Sequence, residues 1–475
     1  MSRVSTKVKR QQRRSRQGGT EEPLRELRND VAGIDVGATE NYIACRPHAD
    51  GSPNVRSFPT DTQSLEATAD WMAAQGVHSV AMESTGVYWI PLYQVLIRRG
   101  FEVNLMDARA VRGVPGRKSD VIDCQWLRKL HACGLLRGCF LPDDQTSALR
   151  SQQRMRQTLR RNQDDWIRRV QKQLDLMNIR VHRAVSDITG VTGMRIIRAI
   201  LGGERDPRVL AGLRDCRCHK DEAAIARELT GDWREEHLQN LAVAMASYDF
   251  FTVQIAQIDR NIDDHLMRIR ALREATGKPV AAVVPPHPSA DKGQRLIKRG
   301  EEPLRQALAR TFGIDLTQIE AIGTEAAASI FMELGPDIPL RFPTEKQFVA
   351  YLRLAPRLGI SGGHPVPRKS KAPRRGSSPL KHILLMAAGT LRNSQTALGN
   401  YYRKTAYRKG NGVASFATAA KLAQRIWRAL AHGLEYATGG DEQWHRTELE
   451  RRRKRLLCQA AVLGLTVVPA AAHNA

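Results

Sequence analysis

The chain has 475 residues, enough for two or three domains, and carries 74 Lys plus Arg against 49 Asp plus Glu, a formal net charge of +25. Such an excess is the electrostatic footprint of a nucleic-acid partner, whereas a membrane role would need bulky amphipathic basic helices, a secretory leader or a long uncharged run, none of which the sequence suggests. Seven cysteines without a C-x-x-C pair fit reduced thiols and an expected cytoplasmic location, and the one cluster, Cys216-Arg-Cys218-His219, lacks a fourth ligand at zinc spacing.

Residues 1–30 hold a block with Lys7, Lys9, Arg10, Arg13, Arg14 and Arg16 and no acid among them, which reads as a disordered basic tail. From 31 to 143 the pattern sharpens. Val31 to Gly37, Asn41 to Arg46 and Asn54 to Phe58 are short strands separated by polar turns, as in a meander. Thr62 to Gln75 then reads as a helix, His78 to Met82 as a strand ending at Glu83, Val87 to Arg99 as a helix, and Phe101 to Met106 as a strand. Meander followed by alternation predicts a mixed sheet with helices on its faces, an α/β fold.

Behind this lies Gly116-Arg-Lys-Ser-Asp-Val-Ile-Asp-Cys-Gln-Trp-Leu127, where Ser119 reads as a helix cap and Asp120 and Asp123 share one helical face. Val121, Ile122, Leu127 and Leu130 give that helix a side to bury. Two carboxylates held together cost energy unless a cation neutralises them, and Mg²⁺ is well suited to acidic oxygens plus water and phosphate. Taken alone, such a pair is commonly a solvated acidic turn. Asp35 inside Ile34-Asp35-Val36 and Glu83 at a strand end add weight. An acid set in an apolar strand is costly to bury without a partner, and α/β sheets gather their sites at carboxyl ends of strands.

Residues 144–275 change texture. Leu149 to Leu176 is dense in Arg and Gln, and Glu235 to Leu272 carries Leu238, Leu241, Val243, Ala244, Tyr248, Phe251, Ile255, Ile258, Ile262 and Leu266 at spacings of three and four. The pattern describes a long amphipathic helix, serving either an internal hairpin or an intermolecular coiled coil. Residues 276–316, with Pro279, Pro285, Pro286, Pro288 and Pro303, read as a proline-rich insertion or linker. Residues 317–440 read as a mostly α-helical domain and 441–475 as a basic C-terminal tail.

In that last domain Ile319-Glu-Ala-Ile-Gly323 is a turn between helices, and Ala355-Pro-Arg-Leu-Gly-Ile-Ser-Gly-Gly-His364 leads into Arg368, Lys369, Lys371, Arg374 and Arg375 without an acid. A helix resumes near Pro379, with Ile383, Leu384 and Ala387 on one side. Ser361 is a hydroxyl on a turn whose glycines permit close backbone approach, beside cations able to hold a phosphodiester. It reads either as a nucleophile needing activation or as part of a phosphate-contacting loop.

Gly33-Ile-Asp-Val-Gly37, Met82-Glu-Ser-Thr-Gly86 and Ser119-Asp-Val-Ile-Asp123 resemble, in order and spacing, the D-E-D-D motifs of the RuvC-like (ribonuclease-H-fold) domain in DEDD transposases and Piv-type DNA invertases. The Ser361 segment resembles the C-terminal transposase domain of the same recombinases, in which Ser361 occupies the position of the catalytic serine. It departs from them in Arg353-Leu-Ala-Pro356 before the serine and Arg374-Arg-Gly-Ser-Ser-Pro-Leu-Lys381 after it, which leaves Ser370, Ser377 and Ser378 as rivals.

The resemblance implies a RuvC-like N-terminal domain, a helical coiled-coil middle and a C-terminal transposase domain, acting as a DNA recombinase of a bridge-RNA-guided insertion sequence. Asp35, Glu83, Asp120 and Asp123 would bind Mg²⁺, or Mn²⁺ in its place, and Ser361 would attack the phosphorus. Donor and target DNA, a guide RNA and further copies of the chain, as a dimer or tetramer, would be its partners. The alternatives are a structure-specific endonuclease using water, and a nucleic-acid-binding protein without enzymatic activity.

Overall fold

Val31–Val36 is apolar except at Asp35, and a run that can bury both faces becomes the central strand, β1, of a five-stranded sheet. The computed structural model describes residues 25–84, 86–106, 120–136, 138–139, 141–218, 220–278, 280–281, 283–286, 302–335, 337–355, 359–361, 364–366, 379–463 and 465. The chain forms two compact units, Met1–Leu141 and Pro142–Ala475.

In the first unit β1 is followed by β2 (Glu40–Ala44), β3 (Val55–Pro59), α1 (Thr62–Ala74), β4 (Ser79–Glu83), α2 (Trp89–Arg98), β5 (Glu102–Met106) and α3 (Asp120–Ala132). The sheet order is β3-β2-β1-β4-β5, with β1 to β3 antiparallel and β1, β4 and β5 parallel. This is the mixed sheet expected: a meander, then alternation of helix and strand along the chain. Asp61 starts α1 by accepting from the Ser64 amide at 3.0 Å.

Alternation along the strands gives the sheet two different faces. Ala32, Ile34, Val36, Ile43, Val80, Met82 and Leu105 pack with Leu65, Ala69 and Met72 of α1 and Leu92, Val95 and Leu96 of α2. Burying each large side chain there contributes about 1.5–3 kcal/mol, so register along β1 is strongly specified. The opposite face carries Gly33, Asp35, Ala81 and Glu83, and α3 lies across it. Ser79 and His131 bond at 2.8 Å between β4 and the end of α3, and burial, followed by the nearby Arg28 charge, lowers the His131 pKa and favours its neutral ring.

Residues 25–30, placed in the N-terminal tail from sequence, belong to the first unit. Residues 1–24 lie outside the described residues, but Glu26 pairs at 2.6 Å with the buried Arg128 of α3, and the Leu27 amide donates to the Ala132 carbonyl at 2.8 Å. A buried guanidinium needs a partner, and Glu26 supplies it.

Among the described residues the regular elements of the second unit are helices and one hairpin. It begins with α4 (Asp144–Leu176), α5 (Val181–Ala184), α6 (Val191–Leu201), α7 (Pro207–Gly212), α8 (Glu222–Glu228) and α9 (Glu235–Ala275). Then come α10 (Glu302–Phe312), a 3₁₀ turn (Leu316–Gln318), α11 (Thr324–Leu334), α12 (Ile338–Arg341) and α13 (Glu345–Tyr351). The hairpin β6 (Gly359–Ser361) and β7 (His364–Val366) precedes α14 (Pro379–Thr390), a second 3₁₀ turn (Leu391–Asn393), α15 (Ala397–Lys409), α16 (Asn411–His432), α17 (Leu434–Thr438) and α18 (Asp441–Val462).

The two long helices pack on each other within one chain, so the middle region forms the internal hairpin that the spacing allowed. Val170 and Leu174 of α4, Ile196, Ile197 and Ile200 of α6, and Leu241, Ala244 and Met245 of α9 share a core. Further along, Gln163 donates to Thr252 at 2.7 Å, and the buried Arg156 pairs with Asp259 and Glu325. Val243, assigned to the apolar stripe from sequence, is exposed, with Phe250, Val253 and Met267. By length and composition α9 also contains a window apolar enough to cross a membrane, a run the sequence reading passed over. Its Asp249 pairs with Arg198 at 3.0 Å and its Asp259 with Arg156.

The proline-rich segment is not linker throughout. Residues 287–301 lie outside the described residues, but α10 is a packed helix within the expected insertion. Pro303 stands in its first turn, where no intrahelical donor is needed, and Leu304, Leu308 and Phe312 recur every four residues on the buried side. Phe312 stacks on Phe331 of α11 with centroids 4.3 Å apart. Buried Arg305 pairs with Asp315 and Glu302 and donates to the Pro285 carbonyl at 3.1 Å, tying residue 285 to the same unit.

Candidate active site

The position of Asp35 follows from sheet register. Ile34 is level with Met82 across the parallel pair β1–β4, so Asp35 and Glu83 each stand one residue further, on neighbouring strands and on the same face. Both are partly buried. Glu83 is the last residue of β4, and Asp35 the penultimate residue of β1, so both sit at the carboxyl end of the sheet.

What brings α3 to them is a glycine. A Cβ at Gly33 would meet the Cys124 carbonyl oxygen and the Arg128 amide nitrogen, each at 2.3 Å. Only a residue without a side chain lets the helix backbone rest directly on β1. Two residues along the strand from that contact lies Asp35, and one residue along the helix lies Asp123. Burial pushes the Cys124 thiol up to about 12, with the Asp35 carboxylate and then Asp123 acting in the same direction, so both acids act electrostatically on one thiol between strand and helix.

Gly33→Ala should therefore lower stability by about 1–3 kcal/mol or more, because the atoms it would meet belong to the backbone and cannot swing away. Urea unfolding followed by circular dichroism measures this. A variant as stable as the parent would mean that α3 does not rest on β1.

Asp120 begins α3 three residues before Asp123, as the motif requires. Its proposed cap, Ser119, lies outside the described residues. Among the described residues no three carboxylate, imidazole or thiol side chains form a group able to hold a metal by themselves. The donor chemistry still suits a hard divalent ion: two carboxylates are level on adjacent strands, with further acids on the facing helix, and such an ion keeps positions for water and phosphate.

Ser361 belongs to the second unit. It ends β6, and its register partner on β7 is His364, so Gly362-Gly363 connects the two strands over two residues. Residues 362 and 363 themselves lie outside the described residues. The basic run Arg368, Lys369, Lys371, Arg374 and Arg375, together with Ser370, Ser377 and Ser378, lies outside the described residues. The helix expected near Pro379 is α14, with Leu380, Leu384, Ala387 and Ala388 buried.

The sheet order, the faces and the placement of the acids define a RuvC-like, ribonuclease-H-fold DEDD domain joined to a mostly helical C-terminal unit. Two family models match this chain. The transposase model DEDD_Tnp_IS110 covers residues 32–179, and the model described as Transposase IS116/IS110/IS902 family covers residues 315–403. The chain belongs to the DEDD transposases of the IS110 family. No curated protein matches it.

The first match contains Asp35, Glu83, Asp120 and Asp123, and the second contains Ser361. Sequence reasoning missed the contribution of Gly33, although the residue stands inside the first motif. It also missed buried Arg128 and its partner Glu26, which hold the far end of α3.

Proposed function

We propose that this transposase is a Mg²⁺-dependent, serine-using DNA recombinase guided by a bridge RNA. The observation that supports the reading is that Asp35 and Glu83 stand level at the carboxyl end of adjacent strands while the backbone of the helix containing Asp120 and Asp123 rests on Gly33 of the same strand as Asp35. Those four carboxylates would hold Mg²⁺ or Mn²⁺, which when bound supplies positive charge opposite the attacking and leaving oxygens of a phosphodiester.

The remaining steps belong to the chain's own groups. Ser361 Oγ loses its proton and forms an ester bond to phosphorus, while the bond from phosphorus to the leaving strand's oxygen breaks and that oxygen takes up a proton. The phosphoserine link conserves the energy of the broken bond, so a second strand's hydroxyl can displace the serine and complete rejoining. The cations from Arg368 to Arg375 would hold the backbone beside the serine. The acids of one protomer and the serine of another would form a composite site in a dimer or tetramer acting on donor and target DNA in the cytoplasm.

Incubation of the purified protein with Mg²⁺, its element's flanking DNA and the noncoding RNA should yield joined strands, and EDTA should abolish them. Cleavage without joining would favour the water-using endonuclease. A discrete RNA species should also copurify from cells carrying the whole element, since net charge alone attracts polyanions without selection. Random cellular RNA, with recombination undiminished after deletion of the noncoding flanks, would count against guidance.

A further inference from the structure

The segment after residue 440, expected to be a basic tail, contributes a helix to a second cationic site. Helix α18 packs on α15, and between them and the Leu391–Asn393 turn lies a cavity of about 510 Å³. Arg392, Arg403, Lys404, Arg451 and Arg455 line it, and among its described lining residues none is acidic.

The pocket is built into the fold rather than left by loose side chains. A Cβ on Gly399 would meet the Ser394 carbonyl oxygen at 2.4 Å and that of Leu391 at 2.8 Å, so the glycine lets the turn nest against the first turn of α15. Arg403 then donates to the Arg392 carbonyl at 3.0 Å and to that of Ser394 at 2.5 Å, fixing its guanidinium at the cavity wall. Asn400, Arg403 and Lys404 share one face of α15, and Arg451 and Arg455 share one face of α18. Both faces line the same space. Guanidinium and ammonium donors from two helices and a turn face one space, and a chain of phosphates presents charged acceptors at several points along it.

We infer that this pocket grips the phosphodiester backbone of a single nucleic-acid strand, at a place separate from the Ser361 segment and completed by residues 404, 451 and 455, which lie beyond both matched family regions. The inference rests on the reading of the chain as a nucleic-acid recombinase, and it is tested by binding without divalent metal, so that the acidic cluster has no part in the result. Arg451→Gln/Arg455→Gln in the full-length protein is compared with Arg208→Gln/Arg268→Gln, which removes the same charge from two exposed positions on α7 and α9.

Fluorescence anisotropy with a short labelled single strand, supplied as RNA and as DNA, gives the slope of log affinity against log salt. The pocket variant should lose about 1.4 from that slope, roughly 0.7 for each phosphate contact, while the surface variant keeps it. A loss confined to RNA would assign the pocket to an RNA strand, a loss confined to DNA to a DNA strand, and a loss on both to the shared backbone; each supports the proposal. Unchanged circular dichroism keeps unfolding of α18 out of the comparison, and Lys404→Gln, on the other helix, should lower the slope by about 0.7 in its own right. Equal slopes in the pocket and surface variants, or no change in the Lys404 variant, would overturn it.

Discussion

Ser361→Ala should abolish both the covalent protein–DNA adduct and strand joining, lowering recombination by roughly 10⁴-fold or more, because only water remains to attack. The substitution removes one hydroxyl at the end of a short strand beside a two-glycine connection, and the pairing of β6 with β7 is made by backbone groups that alanine retains. Folding and nucleic-acid affinity should survive. In the parent protein, stalled reactions should contain DNA bound to the peptide around Ser361 and stable to denaturant. Ser361→Cys should retain part of the activity, since a thiolate is a competent nucleophile. Ser377→Ala and Ser378→Ala should still form the adduct even where binding weakens. Normal recombination by Ser361→Ala, or cleavage leaving free 5′-phosphate ends with no adduct from any serine, would give the reaction to water.

The fold of the first unit was legible because its signals are local. Each strand from Val31 to Met106 is a short apolar run bounded by polar turns, and the structure differs from the expected boundaries by only one or two residues. Asp35 and Glu83 stood out for the same reason: an acid in or at the end of an apolar strand is visible without knowing its neighbours. The contact that seats α3 was not legible. It joins Gly33 to backbone atoms of residues 124 and 128, far along the chain, and a glycine in a strand signals close approach without naming what approaches.

The second unit shows the complementary difficulty. Prolines concealed α10, since composition points to a linker while the four-residue spacing of Leu304, Leu308 and Phe312 points to a helix, and a proline in the first turn is compatible with both. Charge concealed α18 in the same way: a run rich in arginine reads as a solvated tail until another helix is seen against it. For α9, spacing alone could not choose between a partner helix in the same chain and one in another. The α4–α9 packing supplies the first, and the exposed Phe250 and Val253 lie on the same helix.

Asp35→Asn should lower strand cleavage by about 10²–10⁴-fold, the loss of several kcal/mol of transition-state charge stabilisation, while gel-shift affinity stays nearly unchanged. The amide keeps the size of the carboxylate, so β1 and its contact with α3 should persist, and affinity comes from the basic surface rather than from the acids. A second readout does not depend on activity. In the proposed metal site a bound divalent ion relieves the repulsion among Asp35, Glu83 and the α3 acids, so Mg²⁺ should raise the parent's melting temperature; saturation at a hundred times its dissociation constant corresponds to about 2.7 kcal/mol. Asp35→Asn, with one carboxylate fewer to hold the ion, should respond weakly when Mg²⁺ is added. Asp123→Asn, from the helix side of the same site, should repeat the pattern. Full cleavage by either variant, or an undiminished Mg²⁺ shift in both, would remove these carboxylates from the metal site.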